Sequence, residues 1–120
     1  MKILIVDDMN LIRMLIKDIL WHNNGYTEFY DAANGREAVD MYKKIKPSLV
    51  FMDTAMPDVN GIEALISIKE FDADAKVIMM AASGEQTMVS DAMRYGALDF
   101  ITKPLRSDSV MKVVQHIIEP

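Results

Sequence analysis

Two hydrophobic rhythms alternate along the chain. Short, unbroken apolar runs are separated by longer stretches in which apolar residues return every three or four positions. Unbroken runs suit strands buried on both faces, and three-and-four spacing suits helices with one face on a core. Ile3 to Val6 is the first run, and it stops at Asp7-Asp8. From Asn10 onward, Leu11, Ile12, Leu15, Ile16, Ile19 and Leu20 outline an amphipathic helix. Asn23-Asn24-Gly25 closes it, with the glycine suited to the left-handed position after a helix. Thr27 to Ala33 is β-prone but more polar, as an edge strand would be. Asn34-Gly35-Arg36-Glu37 then reads as a helix start, with an Asn cap and a Glu three residues on. Ala38, Met41, Tyr42 and Ile45 supply its inward stripe until Lys46-Pro47 ends it.

The central run is Leu49-Val50-Phe51-Met52-Asp53, apolar residues leading straight into a carboxylate, followed by the turn-rich Thr54 to Gly61. Ile62, Leu65, Ile68 and Phe71 mark a third helix that closes near Asp72-Ala73-Asp74. Val77 to Ala82 is another apolar strand. Ser83-Gly84-Glu85-Gln86 fits a capping box opening a fourth helix, which Gly96 terminates. Leu98 to Thr102 is the fifth strand, Lys103-Pro104 a turn, and Ser107 the cap of a last helix with Val110, Val113, Val114 and Ile117 inward. A strand-helix unit repeated five times predicts an α/β fold: a doubly wound five-stranded parallel sheet, helices on both faces, right-handed crossovers. One domain is expected over residues 1–120, with no linker.

Composition removes several function classes. The 120 residues are 51% apolar and 26% charged, ordinary for a globular domain. A net charge of -5, with 13 basic residues scattered along the chain, argues against a nucleic-acid surface. The absence of cysteine excludes disulfides, thiolate metal sites and a cysteine nucleophile. The apolar run at the N-terminus is too short for a signal peptide or a membrane span, so a cytoplasmic location is expected. The 11 methionines read as adaptable core filler.

In a parallel sheet the carboxyl ends of the strands share one edge, and ligands bind just beyond it. Asp7 and Asp8 close the first strand, Asp53 the third, and Lys103 the fifth. With strands one and three adjacent, the three carboxylates meet in one shallow cleft and repel unless a cation joins them. Hard oxygen ligands suit Mg²⁺, which takes one or two protein carboxylates and keeps waters or phosphate oxygens. Mg²⁺ and Lys103 together balance three carboxylates and would favour an incoming phosphoryl group, with Asp53 as nucleophile and an acyl phosphate as product.

Taken alone, the acid pair could merely cap the first helix, a strand-end Asp could be a turn residue, and Lys-Pro a boundary. Their convergence on one edge favours function. Trp21 is expected to pack at the end of the first helix, whereas His22, His116, Arg36 and Arg94 read as solvated.

Val6-Asp7-Asp8, Met52-Asp53, Met56-Pro57, Asn60-Gly61 and Lys103-Pro104 together resemble the receiver domain of two-component response regulators, in its CheY-like, single-domain chemotaxis form. The resemblance spans the whole chain. It implies the flavodoxin-like strand order 2-1-3-4-5 and Mg²⁺-dependent phosphoryl transfer from a histidine kinase to Asp53. It further implies metal ligation by Asp8, Asp53 and the backbone carbonyl of Ala55, with Asp7 acting through water. Lys103 would bind the phosphoryl group, and the bond before Pro104 would be cis. Output would pass to a downstream protein through the fourth helix, fifth strand and fifth helix, with Met88, Ala92, Tyr95, Phe100 and Met111 as candidate contacts. A monomer with no direct nucleic-acid contact and no membrane insertion is implied, a signalling acceptor and not an enzyme in the usual sense.

One position departs from the family. Receivers usually carry Thr or Ser at the end of the fourth strand, where this chain has Ala81. The family's hydroxyl binds the phosphoryl group and draws an aromatic residue inward, here Phe100. A methyl group donates no such bond, and the nearby Ser83 could substitute only through a displaced loop, its capping position giving it another occupation. The family's tuning positions are Ala55 and Ser83, neither an acid nor an amide that positions water, so slow loss of the phosphoryl group is expected. Two other functions compete. One is an interaction module largely independent of phosphorylation, which Ala81 permits. The other is a Mg²⁺-dependent hydrolase with an aspartyl-phosphate intermediate, disfavoured because the first strand ends in Asp7-Asp8-Met9 and not Asp-x-Asp. Flavin binding is weaker still, since acids stand where a phosphate cradle needs amides.

Overall fold

A computed structural model describes residues 1–57 and 59–118. The strands are β1 (Lys2–Val6), β2 (Glu28–Ala32), β3 (Leu49–Asp53), β4 (Val77–Ala81) and β5 (Asp99–Thr102). The helices are α1 (Asn10–Asn24), α2 (Gly35–Ile45), α3 (Gly61–Phe71), α4 (Gln86–Arg94) and α5 (Ser107–Ile118). All neighbouring strands pair in parallel, in the order β2-β1-β3-β4-β5. This is the expected doubly wound sheet, with β3 at its centre. Among the described residues, no helix is long and apolar enough to cross a membrane.

The unbroken apolar runs follow from covering both faces of the sheet. Leu4, Val6, Val50, Met52, Val77 and Met79 point to one side, where Ala38 and Tyr42 of α2 and Ala64, Leu65 and Ile68 of α3 pack on them. Their alternates Ile3, Ile5, Leu49, Phe51, Ile78 and Met80 point to the other, against Ile16, Ile19 and Leu20 of α1 and Val110, Val113 and Val114 of α5. Every residue of β3 is buried, whereas β2 and β5 at the edges are partly exposed. Of the three interior strands, β3 and β4 are buried throughout and β1 at all but its first residue, and Asp53 stands at the end of the central one.

Several expectations about packing are corrected. Leu11 is 71% exposed, and Leu15, Trp21 and Phe71 also face solvent. The apolar arc of α1 is wider than the arc that the sheet and α5 cover, so only Ile16, Ile19 and Leu20 are fully buried there. Trp21 stacks edge-on against His22, with ring centroids 5.0 Å apart, and does not pack inward. Phe71 lies edge-on to Tyr42 at 6.3 Å. The expected box from Ser83 to Gln86 does not form. The chain turns at Gly84 with φ +94°, Glu85 occupies the N-cap of α4, and no side chain caps that helix. Neither acid of the first pair caps α1, whose N-cap is Met9. The Asn34–Glu37 start forms as expected, with Glu37 N–H donating to Asn34 Oδ1 at 2.9 Å. A full capping box unforeseen in the sequence joins Asn60 and Glu63 at the head of α3.

Gly61 shows how tightly this last start is seated. A Cβ there would lie 1.8 Å from the backbone oxygen of Asp53, whereas one on Gly25 (φ +70°) would meet nothing within 4 Å. Gly61→Ala should therefore cost on the order of 3 kcal/mol through overpacking against backbone. Gly25→Ala should cost only about 1 kcal/mol, from left-handed strain. Urea unfolding of both variants checks this; equal losses would contradict the close packing of α3 on the end of β3.

Candidate functional site

The order of the strands sets the site. β1 and β3 are neighbours, so Asp7, just past the end of β1, lies beside Asp53, the last residue of β3. Lys103 follows β5 and reaches back across the end of β4. Its Nζ donates to Asp7 Oδ2 at 3.0 Å and to Asp53 Oδ1 at 3.2 Å. Its backbone N–H is held by the carbonyl of Ala81 at 2.8 Å, and the Lys103–Pro104 peptide is cis.

Each acid is set differently. Asp7 is completely buried and its backbone N–H donates to Ala32 O at 3.1 Å, which ties it to β2. Its Oδ1 accepts the N–H of Met9 at 2.9 Å, so both carboxylate oxygens already have a donor. Arg13, one turn into α1, donates to the Asp7 carbonyl and binds Asp31 Oδ2 at 2.9 Å. It thereby fixes the backbone of the acid pair against the edge strand. Asp8 is exposed at the mouth of the cleft. Asp53, only 4% exposed, is positioned by Thr54, whose N–H donates to Met80 O at 3.0 Å and whose carbonyl accepts from Gly61 at 3.1 Å.

Burial, and then the negative charge of Asp7, push the Asp53 carboxyl up from 3.8 to about 6, although Lys103 and the N–H of Ala55 favour its ionised form. The displacement corresponds to roughly 3 kcal/mol disfavouring the carboxylate, so burial and the neighbouring acid outweigh the ammonium. Burial works against the charge of Lys103, but Asp7 and Asp53 more than offset it and raise its pKa. It remains an ammonium.

Carboxylate oxygens of Asp7, Asp8 and Asp53 all lie within 4.8 Å of one another. An all-oxygen donor set that is negatively charged and open on the Asp8 side fits a small hard cation such as Mg²⁺. Receiver domains bind Mg²⁺ at an acidic cleft of this kind, and the chain has one.

The remaining expected residues are distributed around this cluster. Ala55 is exposed on the rim just after Thr54. Ala81 is buried as the last residue of β4 and pairs in register with Thr102. Ser83 is exposed in the turn. A cavity of about 710 Å³ lies among Ala81, Ser83, Glu85, Val89, Met93 and Phe100. Phe100 is 41% exposed. A longer groove of about 1030 Å³ follows β5 and α5 past Phe100, Lys103, Arg106, Lys112 and His116. Of the expected output contacts, Tyr95 and Phe100 are exposed and Met88 and Met111 half-buried, but Ala92 is fully buried and belongs to the core. Its place on the inner face of α4 packs it with the α2–α3 side of the sheet.

Two neighbours of the cluster escaped the sequence reading. Arg13 carries no motif; its spacing from Asp7 was its only signal. Thr54 is completely buried and donates from Oγ1 to Glu85 Oε1 at 3.0 Å, a contact across 31 residues that no local pattern announces.

Comparison with known proteins points in one direction. Residues 3–115 match the family described as the response regulator receiver domain. A curated relative, chemotaxis protein CheY of Bacillus subtilis, is 50% identical over 117 residues, which are 98% of this chain and 97% of that protein. The crystal structure of the receiver domain of NtrX from Brucella abortus superposes with a TM-score of 0.89 at 31% identity, covering 98% of both chains. A crystal structure of the CheX-CheY-BeF3-Mg²⁺ complex from Borrelia burgdorferi gives a TM-score of 0.89 at 36% identity, covering 97% of this chain and 87% of that one.

The raised pKa of Asp53 has a stability consequence with a definite sign. Between about pH 4 and 6 the native state holds a proton there that the unfolded chain has released, so this group's contribution to stability falls as pH rises. The penalty is full above pH 6. Asp53→Asn should therefore stabilise the metal-free protein by about 2 kcal/mol at pH 7 and by much less at pH 4. Denaturant unfolding at both pH values, with and without Mg²⁺, measures it. A variant no more stable than the parent at pH 7 in chelator would show that Asp53 is not disfavoured as a carboxylate.

Proposed function

This chain belongs to the response regulator receiver family, and from that premise we propose that it is the phosphoacceptor of a two-component relay, with Asp53 taking the phosphoryl group. The observation that carries this reading is the ammonium of Lys103 bonded at once to Asp7 and Asp53, beside an acidic cluster open on one side. The proposed donor is a histidine kinase. A carboxylate oxygen of Asp53 attacks phosphorus in line, the P–N bond to the donor imidazole breaks, and the leaving ring takes up a proton. Lys103 is placed to accompany the phosphoryl oxygens as charge develops on them, and the buried Asp7 keeps that ammonium aimed at the cleft.

Asp8, Asp53 and the Ala55 carbonyl would hold Mg²⁺, with Asp7 acting through water, which agrees with both of its oxygens being already engaged. When bound, the metal would supply positive charge to the carboxylates and phosphoryl oxygens. The Borrelia CheY was crystallised with BeF3 and Mg²⁺ and in contact with a second protein, CheX. By analogy, output here would pass by protein contact at α4, β5 and α5. A chemotaxis pathway is proposed on the similarity to CheY proteins. The chain would act as one receiver domain over residues 1–120 and as a monomer.

Ala81 supports a second reading, an interaction module whose output depends little on phosphorylation. It leaves acceptance of the phosphoryl group intact but removes the usual hydroxyl. Incubation with acetyl phosphate and Mg²⁺, followed by intact-mass measurement, tests the acceptor. The parent should gain one phosphoryl group, Asp53→Asn none, and chelation of Mg²⁺ should suppress the gain. Lys103→Met should reduce the rate by about 100-fold, the scale of losing one preorganised charge. Unchanged mass of the parent would refute the proposal. With neither Ala55 nor Ser83 able to position water, the label should persist for many minutes after donor removal; decay within seconds would overturn that expectation.

A further inference from the structure

Thr54 is the residue next to Asp53, and it is held on three sides. Its N–H donates to Met80 O in β4, its carbonyl accepts from Gly61 at the start of α3, and its hydroxyl donates to Glu85 at the start of α4. It is completely buried, so its hydroxyl requires a partner, and a buried hydroxyl left without one is costly. Glu85 is itself doubly engaged. Its Oε1 accepts both Thr54 Oγ1 at 3.0 Å and the N–H of Ala82 at 2.6 Å. The backbone of the turn closes the same loop, with Glu85 N–H donating to Ala82 O at 3.2 Å.

This carboxylate joins the end of β3 to the turn that opens α4, beyond the sheet ladder itself. Little else ties down that helix. Ala92 is the one residue of α4 that is fully buried, no side chain caps its N-terminus, and Gly84 in the preceding turn has φ +94°. The cavity beside the turn, reaching Phe100, leaves room for the segment to shift. A helix with few buried contacts belongs to the easily displaced part of a fold, and one charged hydrogen-bonded tie weighs heavily in its position.

Resting on the proposal that Asp53 is the acceptor, we infer that Glu85 is a positioning residue: by bridging Thr54 Oγ1 and the Ala82 N–H it transmits the state of Asp53 to α4, the task a hydroxyl at residue 81 would otherwise share. A change of charge and bonding at Asp53 moves the Asp53–Thr54 peptide. Thr54 has one hydroxyl proton to give, so Glu85 either follows it or lets go. In both cases the turn and α4 change position.

The test reads acceptance and response separately, in the full chain. Acyl phosphate formed with acetyl phosphate and Mg²⁺ is quantified by mass, and hydrogen exchange across residues 82–92 is compared with and without the label. Thr54→Val, which keeps the backbone bonds of residue 54, and Glu85→Met, which removes the acceptor oxygen, should accept the phosphoryl group within about twofold of the parent, yet show an exchange response reduced about threefold or more. Thr54→Ser, which keeps the hydroxyl, should restore it. The double variant should be no worse than either single one, because both cut the same tie. A parental response in Thr54→Val, or losses that add in the double variant, would overturn the inference. Failure of the parent to take the label would overturn the acceptor proposal instead. The clamp is then judged by NMR exchange of the Ala82 amide, which both single variants should speed by about fivefold; unchanged protection would overturn it.

Discussion

The lysine ammonium bridging two buried carboxylates is the contact on which the site depends. Asp7 and Asp53 end adjacent parallel strands, so the sheet that makes the core also forces two negative charges together in a place largely shut off from water. Lys103 stands where it does because β4 and β5 are the next strands over, and because the Ala81 carbonyl holds its backbone. The ammonium does not relieve the strain completely, since Asp53 still has its pKa pushed up to about 6. The fold thus keeps a carboxylate that is unsettled without more positive charge. That condition suits a nucleophile better than it suits a structural ion pair.

The surrounding structure absorbs this cost by fixing backbone. Arg13 binds the Asp7 carbonyl and Asp31, while Lys17 reaches Asp31 from the next turn of α1 at 2.5 Å. The acid pair is therefore anchored to the edge strand by cations that stay clear of the cleft. On the other side, α3 begins directly on the Asp53 carbonyl, in space that only a glycine at position 61 leaves free. A fixed frame around three carboxylates that one ammonium does not neutralise is the kind of preorganised electrostatic environment the proposed acceptor would use.

The parts legible in the sequence were those with local or periodic signals. Apolar runs without alternation announced strands covered on both faces, and the two core clusters show why they lack alternation. The convergence of Asp7, Asp8, Asp53 and Lys103 was legible because a parallel sheet gathers strand ends on one edge whatever the strand order. Less legible was anything decided by which arc of a helix finds a neighbour. Leu11, Leu15 and Trp21 fit a helical stripe as well as Ile16 does, yet α1 has only the sheet and α5 to lie against. Ser83 to Gln86 carried a proper capping pattern, but the chain turns at Gly84 and α4 starts only after Glu85, whose carboxylate reaches across to Thr54. Tertiary hydrogen bonds of that kind leave no trace in local spacing.

That substitution of partners bears on what the methyl group at Ala81 means. A hydroxyl there would answer directly to whatever joins Asp53, and its absence suggests at first a receiver that has lost its means of reporting. The alternative is that the reporting bond has moved one strand inward. Thr54 supplies a hydroxyl just past the end of β3, next to Asp53, and Glu85 supplies a charged acceptor where the turn after β4 opens α4, so the end of β3 and that turn are joined with the hydroxyl on the β3 side. A bond to a carboxylate is also stronger than one between neutral groups. On that view Ala81 is tolerated because the strand end bearing Asp53 already holds the turn beyond it, and the open space at Phe100 is where the released turn has room to go.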